Sequence, residues 1–328
     1  MNAAKAYEEF GNEKGSFPGL AAVKTLIKFI VEDKCMASVA PIKCVFNIFS
    51  NFTATTLSEF FKNLNAIEEE LKNYEPLMQV DSYMAIFKLF VTLHLSEYDV
   101  CTFHILSFLF HSSCFSFQRQ MEKAKEVLKM RGNLFLDQAI NCKAKTAKIG
   151  QPFISDGSEI LVNSWSSIVF ETLLEAKNKN KRFTVYVTES HDSRGKKMWN
   201  QLRHQNIDCT SISDSAIGYY MEKVDVVLSG AEGVVENGGI INTIGTYPLA
   251  LCAKAMNKPF YVLVESFKFT RFYPLNQRDI PDRFKFKKGT AQRPVIDYTP
   301  PALITLLLTN LGALTTAAVS DVLMQLYL

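Results

Sequence analysis

The sequence lacks the motifs that mark metal, nucleotide and membrane sites. Its seven cysteines are odd in number and none has C-x-x-C spacing, so neither a zinc site nor a disulfide framework is predicted. It has no G-x-G-x-x-G fingerprint and no Walker loop, and no apolar run reaches the ~20 residues that a membrane-spanning helix needs. We therefore expect no metal, no cofactor and no membrane association.

A strong charge of one sign is also missing. Lys and Arg number 36 and Asp and Glu 33, which gives a formal net charge of +3, and the basic residues are spread along the chain. Proteins that bind the phosphate backbone of nucleic acids carry clustered basic residues, and this sequence has no such cluster. No nucleic-acid partner is therefore predicted. Residues 1–10 have no apolar core of the kind that a secretory signal needs. Together with the unpaired cysteines, this favours a cytosolic location.

What is present in the first half is helical periodicity. Apolar residues recur at three- and four-residue spacing, which predicts amphipathic helices. These helices cover 20–31, 57–71, 82–95 and 118–136. Thr56 and Glu59 have capping-box spacing at the start of the second one. We predict a small all-helical domain over residues 1–149, a unit suited to docking more than to chemistry.

Residues 100–117 interrupt that pattern. The segment holds five phenylalanines, two histidines, two cysteines and four serines without a clean period. It is either an unusual core helix or an insertion that related chains lack, and the broken period favours the insertion.

The second half alternates short β-branched runs with helical segments. The predicted strands are Glu159–Val162, Arg182–Thr188, Asp208–Ser213, Val224–Ser229 and Phe260–Glu265. The predicted helices are Ser166–Asn178, Gly195–Gln205, Ser215–Lys223, Thr246–Ala255, Ala302–Thr309 and Ala317–Leu326. Strand–helix alternation of this length indicates βαβ units. The predicted fold is α/β, a Rossmann-like doubly wound parallel sheet over residues 150–328, preceded by the helical domain.

The glycine-rich segment from Gly230 to Thr246 is the most informative stretch of this half. Ligands of doubly wound sheets bind outside the carboxyl ends of the strands, and here Glu232 follows a predicted strand. A glycine pair in a predicted loop and Asn242 come next. Glycines let the backbone approach a small ligand, and an acid can exchange protons with it. The alternative is that the polar residues at strand ends only cap helices.

The same segment carries a resemblance to a known family. Gly230–Gly239 is similar to a stretch found in the alpha subunits of translation initiation factor 2B, within the superfamily of initiation factor 2B regulatory subunits and sugar-phosphate isomerases. Further similar stretches are Val187–Ser190, Gly218–Lys223, Asn257–Val262, Val264–Phe269, Pro274–Gln277 and Pro301–Leu307. In the first half the likeness is limited to Ala22–Leu26 and Arg131–Leu136.

The resemblance implies a protein without catalytic residues. Isomerases of the methylthioribose-1-phosphate isomerase type use a cysteine and an aspartate, and those positions fall here at Ser164 and Glu232. A hydroxyl is far less acidic than a thiol, and glutamate moves the carboxylate by a methylene. Isomerase activity is therefore the alternative function and not the main one.

The resemblance also implies a sugar-phosphate pocket. Its expected contacts are Asn163, Ser164, Ser166, Glu189, Ser190, Glu232, Asn242 and Thr246. Helix N-termini would add backbone N–H groups suited to phosphate. Two cations usual in the alpha branch are replaced here, by Ser167 and Thr243, and charge-assisted bonds to an anion are lost with them.

As to partners, members of this type form homodimers through the Rossmann-like domain and bridge a larger guanine-nucleotide exchange assembly. The implied partners are the beta and delta regulatory subunits and initiation factor 2, especially its phosphorylated form, which the helical domain helps to sense. The apolar run Leu303–Leu314 is expected to supply surface for this bridging.

Overall fold

The computed structural model describes residues 140–189, 194–286 and 293–327, and outside them single helical positions at 62, 65, 66, 69, 130 and 137. The chain divides into two compact units, Met1–Ile140 with Tyr327 and Asn141–Leu326 with Leu328. The predicted boundary between 149 and 150 lies later, inside a helix that spans 140–150.

Most of the first-half predictions, including the insertion at 100–117, lie outside the described residues. The exceptions fall mainly in the predicted helix 57–71. Lys62, Asn65, Ala66 and Glu69 are helical and exposed. These four positions avoid the apolar stripe of that helix, which is the arrangement expected of the solvent-facing side of an amphipathic helix.

The second unit contains the predicted α/β fold. Its strands are β1 Ser158–Val162, β2 Phe183–Thr188, β3 Asp208–Ile212, β4 Val226–Gly230, β5 Gly233–Val235, β6 Ile240–Thr243, β7 Phe260–Leu263, β8 Phe269–Thr270, β9 Ile296–Thr299, β10 Leu306–Thr309 and β11 Gly312–Leu314. Its α-helices after residue 150 are α1 Ser167–Asn178, α2 Arg194–His204, α3 Ile217–Met221, α4 Thr246–Ala255, α5 Asp282–Lys285 and α6 Val319–Tyr327.

Seven strands form one sheet in the order β11-β10-β7-β4-β1-β2-β3. All neighbours are parallel except β10 and β11. The first strand, β1, lies inside the sheet. Strands β2 and β3 follow on one side of it, and β4 lies on its other side. The prediction of a doubly wound parallel sheet is confirmed. The strand order reverses between β1 and β4, where the crevice that binds ligands in such folds lies.

Helices α1 and α2 cover one face of this sheet. Ser166 caps α1, since its Oγ accepts a hydrogen bond from Val169 N at 3.5 Å. Leu173 of α1 and Met198 of α2 are fully buried against the β-branched residues of β1 and β2. Each such side chain contributes about 1.5–3 kcal/mol of hydrophobic stabilisation, so the packed helices fix the positions of the loops before them.

The predicted helix Ala302–Thr309 is wrong. Pro301–Leu303 forms a single 3₁₀ turn, and Leu306–Thr309 is β10, paired parallel with β7. A short apolar run such as this one cannot be assigned to helix or buried strand by its period. The segment forms a strand because it pairs with β7, and this pairing buries Leu307 and Leu308 completely.

A second sheet, of order β8-β5-β6-β9, was not predicted. The expected loop after Glu232 is instead the antiparallel hairpin of β5 and β6. The glycine pair in its turn approaches protein and not a ligand. A Cβ on Gly238, whose φ is +83°, would lie 2.2 Å from Thr316 O, and one on Gly239 would lie 2.6 Å from the Tyr298 ring. The pair is therefore required by packing.

Candidate functional site

The predicted site residues meet where β1 and β4 separate. Asn163 and Ser164 follow β1, Glu232 follows β4, and α4 begins at Thr246. Val162 and Leu228 are direct neighbours in the sheet, so the chain segments after them leave the same edge side by side. Four of the predicted residues come together in one place, namely Asn163, Ser164, Asn242 and Thr246.

These side chains bond mainly to one another. Asn163 Nδ2 donates to Thr246 Oγ1 at 2.9 Å, and Thr188 Oγ1 donates to Asn163 Oδ1 at 2.8 Å. Asn242 Nδ2 donates to Thr246 Oγ1 at 3.0 Å, and that hydroxyl donates to Thr243 O at 2.8 Å. The Thr246 hydroxyl thus fills its one donor and two acceptor positions within the protein. All of these residues are buried, so the polar network stabilises the edge from within.

Ser164 is the strained member of the group. Its φ is +57°, in the left-handed region that a non-glycine residue rarely occupies, and its amide donates to Thr188 Oγ1 at 3.1 Å. The side chain is 1% exposed and its Oγ has no hydrogen-bond partner among the described residues. Backbone strain and an unpaired buried hydroxyl each cost about 1–3 kcal/mol.

Glu232 forms an ion pair at the rim. Arg194, the first residue of α2, places Nη1 3.6 Å from Glu232 Oε1. The two side chains are 35% and 25% exposed respectively. The Glu232 amide donates to Ile241 O at 2.9 Å, which fixes the backbone but leaves the carboxylate at the mouth of the crevice. Arg194 was missed because the predicted helix began at Gly195.

Asp297 on β9 occupies the N-terminus of α4. Its Oδ2 accepts hydrogen bonds from Gly245 N at 2.8 Å and Tyr247 N at 3.0 Å. Burial raises the pKa of this carboxyl to about 7, although the amide donors of the helix act in the opposite direction. The backbone donors predicted to be available for a phosphate at this helix are therefore taken by a side chain. Asp297 was missed because β9 was not predicted.

A buried ion pair lies next to the segment that carries Glu232. Lys268 Nζ lies 2.8 Å from Glu265 Oε2 and donates to Ala231 O at 3.1 Å. Both charged side chains are almost fully buried. Because Ala231 directly precedes Glu232, this contact holds the corner at which the chain turns from β4 into β5. Removing one partner of such a pair leaves an uncompensated buried charge.

The remaining predicted contacts contribute less. Ser166 is the cap of α1, and Glu189 follows β2 with an exposed side chain. Ser190 lies outside the described residues. The described residues hold no group of three His, Cys, Asp or Glu side chains placed to share a metal ion. No helix in the described part of the chain is long and apolar enough to cross a bilayer.

A cleft of about 370 Å³ lies at the opposite, amino edge of the sheet. Its carboxylates are used structurally. Asp156 Oδ1 accepts from Arg182 N at 2.6 Å, and Asp225 Oδ2 accepts from Glu159 N at 2.9 Å. Ligands of doubly wound sheets bind at the other edge, so the crevice between β1 and β4 remains the candidate site.

Burial makes two of the three thiols in the described part of the chain less reactive. Cys142, Cys209 and Cys252 are free and half-buried. Burial raises the pKa of Cys142 to about 11 and also raises the pKa of Cys209. A nucleophilic cysteine needs a lowered pKa.

A sequence model of the Initiation factor 2 subunit family matches residues 35–316. The chain belongs to the Initiation factor 2 subunit family. Two similar relatives carry the same name, translation initiation factor eIF2B subunit alpha. The relative from Dictyostelium discoideum is 36% identical over 321 residues, 90% of this chain and 93% of its own. The relative from Caenorhabditis elegans is 32% identical over 300 residues, 89% and 93% of the two chains.

Another similar relative is an enzyme. The ribose 1,5-bisphosphate isomerase of Archaeoglobus fulgidus is 33% identical over 204 residues, 59% of this chain and 65% of its own. The comparisons support the general assignment of this chain as a translation initiation factor 2B subunit. They also show that an enzyme is among the similar proteins.

Solved structures of other proteins share the fold. The structure of eIF2B beta from Chaetomium thermophilum has a TM-score of 0.73 at 18% identity and covers 99% of this chain and 96% of that one. The Pyrococcus horikoshii translation initiation factor eIF-2B has a TM-score of 0.63 at 21% identity, with 96% and 97% covered. At these identities the likeness establishes the architecture alone.

Proposed function

We propose that this chain is a non-catalytic regulatory subunit of the guanine-nucleotide exchange complex for translation initiation factor 2. The observation that carries the proposal is the 36% identity to an eIF2B alpha subunit across 90% of the chain. The site agrees with a role that needs no turnover, since the side chains of Asn163, Asn242 and Thr246 are hydrogen-bonded to one another and Glu232 forms an ion pair with Arg194.

In this role the chain forms a homodimer that bridges the beta and delta subunits in the cytosol. The first domain takes part in sensing initiation factor 2 in its phosphorylated form. The apolar run Leu303–Leu314 does not serve as the contact surface as a whole, because Leu307 and Leu308 are buried inside the main sheet. Other large hydrophobic side chains are available for contact. Those exposed in the second unit include Tyr219, Tyr273, Leu275, Leu311 and Met324.

The test is the mass of the purified chain by light scattering, alone and mixed with the beta and delta subunits. We expect a dimer for the chain alone and a heavier species in the mixture than the beta and delta subunits form without it. Adding phosphorylated and unphosphorylated factor 2 in parallel then tests sensing. A strictly monomeric chain that leaves the mass of the beta–delta mixture unchanged contradicts the proposal.

The second candidate is a sugar-phosphate isomerase, favoured by the 33% identity to ribose 1,5-bisphosphate isomerase. Against it stand the buried Ser164 hydroxyl and the raised pKa of the Cys142 and Cys209 thiols. Incubation with ribose 1,5-bisphosphate, followed by analysis for the ketose product, separates the two functions. Turnover by the wild-type chain that Ser164→Ala abolishes would establish the enzyme.

A further inference from the structure

The main sheet is covered unequally on its two faces at β2 and β3. On the side of α1 and α2, Val185 and Val187 of β2 are fully buried. On the opposite side Thr184 and Tyr186 of the same strand are only half-buried, and Thr210 of β3 is exposed. Successive residues of a strand point to opposite faces of a sheet. In the described part of the chain, one face of β2 and β3 is therefore packed and the other is accessible.

Three tyrosines in ring contact lie on the accessible side. The ring centres of Tyr186 and Tyr220 are 4.9 Å apart, and those of Tyr219 and Tyr220 are 5.3 Å apart. Tyr219 is 71% exposed. We call these three rings, together with Thr184 and Thr210, the tyrosine face. Tyrosine offers a large contact area at a low cost in conformational entropy, so this surface is suited to binding another molecule.

Two strand carboxylates lie on the same side of the sheet as the rings. Tyr186 Oη donates to Glu159 Oε2 at 3.2 Å. Asp208 is exposed and lies opposite Thr184 in the register of β2 and β3. Residues opposite each other on neighbouring strands point to the same face, so Asp208 brings negative charge to the outer edge of the tyrosine face.

The segment after α3 adds charge of the same sign. Glu222 is exposed and comes three residues after Tyr219, the spacing at which side chains lie on the same side of a helix. Asp225 is also exposed, and its Oδ2 accepts from Glu159 N at 2.9 Å. Negative charge thus borders the tyrosine face from β1, from β3 and from this segment.

Positive charge is scarcer at this surface. Among the described residues the neighbouring cations are Lys223, which is exposed, and Lys258, whose Nζ donates to Glu222 O at 3.3 Å. A third cation, Arg182 before β2, lies 3.9 Å from the Asp156 carboxylate, so this pair adds no net charge. The bordering carboxylates outnumber the cations although the chain as a whole has a formal net charge of +3.

The sign of this charge decides which occupant fits. Nucleic acids and acidic lipid surfaces are repelled by it. A second copy of the chain, bound about a two-fold axis, would place the same patch against itself, so that carboxylates faced one another. A positively charged protein segment is attracted instead. Arginine fits best, because its planar guanidinium stacks on tyrosine rings and also pairs with carboxylates.

We propose that the tyrosine face binds an arginine-rich segment of a partner protein. Its guanidinium groups stack on the rings of Tyr219 and Tyr220 and lie beside the carboxylates of Asp208 and Glu222. This surface is on a face of the main sheet and not at the carboxyl edge where β1 and β4 separate. The inference therefore goes beyond the function proposed above and does not depend on it.

The test measures the binding of a short acetylated peptide of alternating arginine and glycine to the full chain, by calorimetry at constant ionic strength. Tyr219→Ala should weaken binding about 5-fold because it removes the most exposed ring. Tyr219→Phe keeps the ring and should bind within about 2-fold of the wild-type chain. A peptide with lysine in place of arginine should bind more weakly, since an ammonium group does not stack as a guanidinium does.

The contribution of charge is tested with a matched pair of variants. Asp208→Asn should weaken binding of the arginine peptide about 2- to 5-fold. Asp282→Asn removes an exposed carboxylate at the start of α5 and should leave binding unchanged. Asp208, Asp282 and Tyr219 are all exposed, so these variants are expected to keep the fold.

Several results would overturn the proposal. They are no binding of the arginine peptide by the wild-type chain at millimolar concentration, unchanged binding by Tyr219→Ala, or equal weakening by Asp208→Asn and Asp282→Asn. Equal affinity for the lysine peptide would also contradict it, since the rings would then add nothing. Light scattering of Tyr219→Ala examines the other occupant. A lower mass than that of the wild-type chain would assign the tyrosine face to contact between copies and reject the arginine-rich partner.

Discussion

At the residue scale, the two carboxylates near the crevice lie in opposite surroundings. Glu232 is partly exposed beside a cation, whereas Asp297 is 3% exposed and bonded to the amides of α4. The carboxylate at a strand end could be predicted from the sequence, since Glu232 follows an apolar β-branched run. Asp297 could not, because its partner amides lie 52 and 50 positions earlier in the chain and no local pattern joins them.

The raised pKa of Asp297 predicts a specific pH dependence of stability. In the folded state its pKa is raised from 3.8 to about 7 by burial. Between these two values the folded state binds the extra proton, so the free energy of unfolding falls as pH rises and levels off above the folded pKa. We expect Asp297→Asn to lack this decline, which amounts to roughly 4 kcal/mol at most.

Urea unfolding at pH 5 and pH 8, followed by tryptophan fluorescence, measures the effect. Asp282→Asn, on the exposed start of α5, serves as the control. A wild-type protein whose advantage over Asp297→Asn is larger at pH 8 than at pH 5 would have the opposite sign and contradict the assignment.

At the scale of single elements, the sequence predicted the regular βαβ part well. Helix α4 has the predicted bounds Thr246–Ala255, and the five predicted strands of the main sheet differ from the observed ones only at their ends. Long, periodic segments carry enough local information for this. Strands β5, β6, β8 and β9 are short. Only the β5–β6 hairpin is local, and the pairings of β5 with β8 and of β6 with β9 join segments that lie far apart in the sequence. That information is not contained in a local pattern.

The close approach of α2 to β2 predicts a large effect of one methyl group. In Gly195→Ala the new Cβ would meet Thr188 O at 1.9 Å and Glu189 O at 2.6 Å. Because both obstacles are backbone atoms, the helix must shift, at a cost of about 1–3 kcal/mol or more. Gly218→Ala in α3 meets nothing within 4 Å and should be neutral or stabilise by about 0.5–1 kcal/mol.

Urea midpoints of the two variants against wild type provide the measurement. Equal midpoints for Gly195→Ala and Gly218→Ala would mean that the start of α2 is not packed against β2 as described. The same pair of variants then tests the position of Arg194, since that residue directly precedes Gly195.

At the scale of the whole molecule, the fold class and the family were both accessible from the sequence. The residues from Gly230 to Gly239 carried the resemblance, and the family match over residues 35–316 confirms it. What could not be predicted was how the glycines are used. Their neighbours, Thr316 and Tyr298, come from distant segments, so a pattern that suggests ligand approach proved to be a packing requirement.

The division into two compact units predicts two unfolding events. Both tryptophans of the chain, Trp165 and Trp199, belong to the second unit, so fluorescence reports on that unit alone. Far-UV circular dichroism reports on helices throughout the chain. We expect the two urea transitions not to coincide, because separate compact units need not unfold cooperatively. Superimposable curves would indicate a single cooperative unit.

The second sheet has a consequence for the order in which the protein matures on the ribosome. A nascent chain that has released α4 still lacks β9, and Asp297 emerges 52 residues after Gly245. Until then the N-terminal amides of α4 lack the Asp297 carboxylate as their acceptor. The hairpin of β5 and β6 also lacks β9, the strand that pairs with β6. The crevice between β1 and β4 is thus among the last parts of the second unit to be completed, and a chain arrested before Ile296 would present chaperones with an unfinished sheet edge.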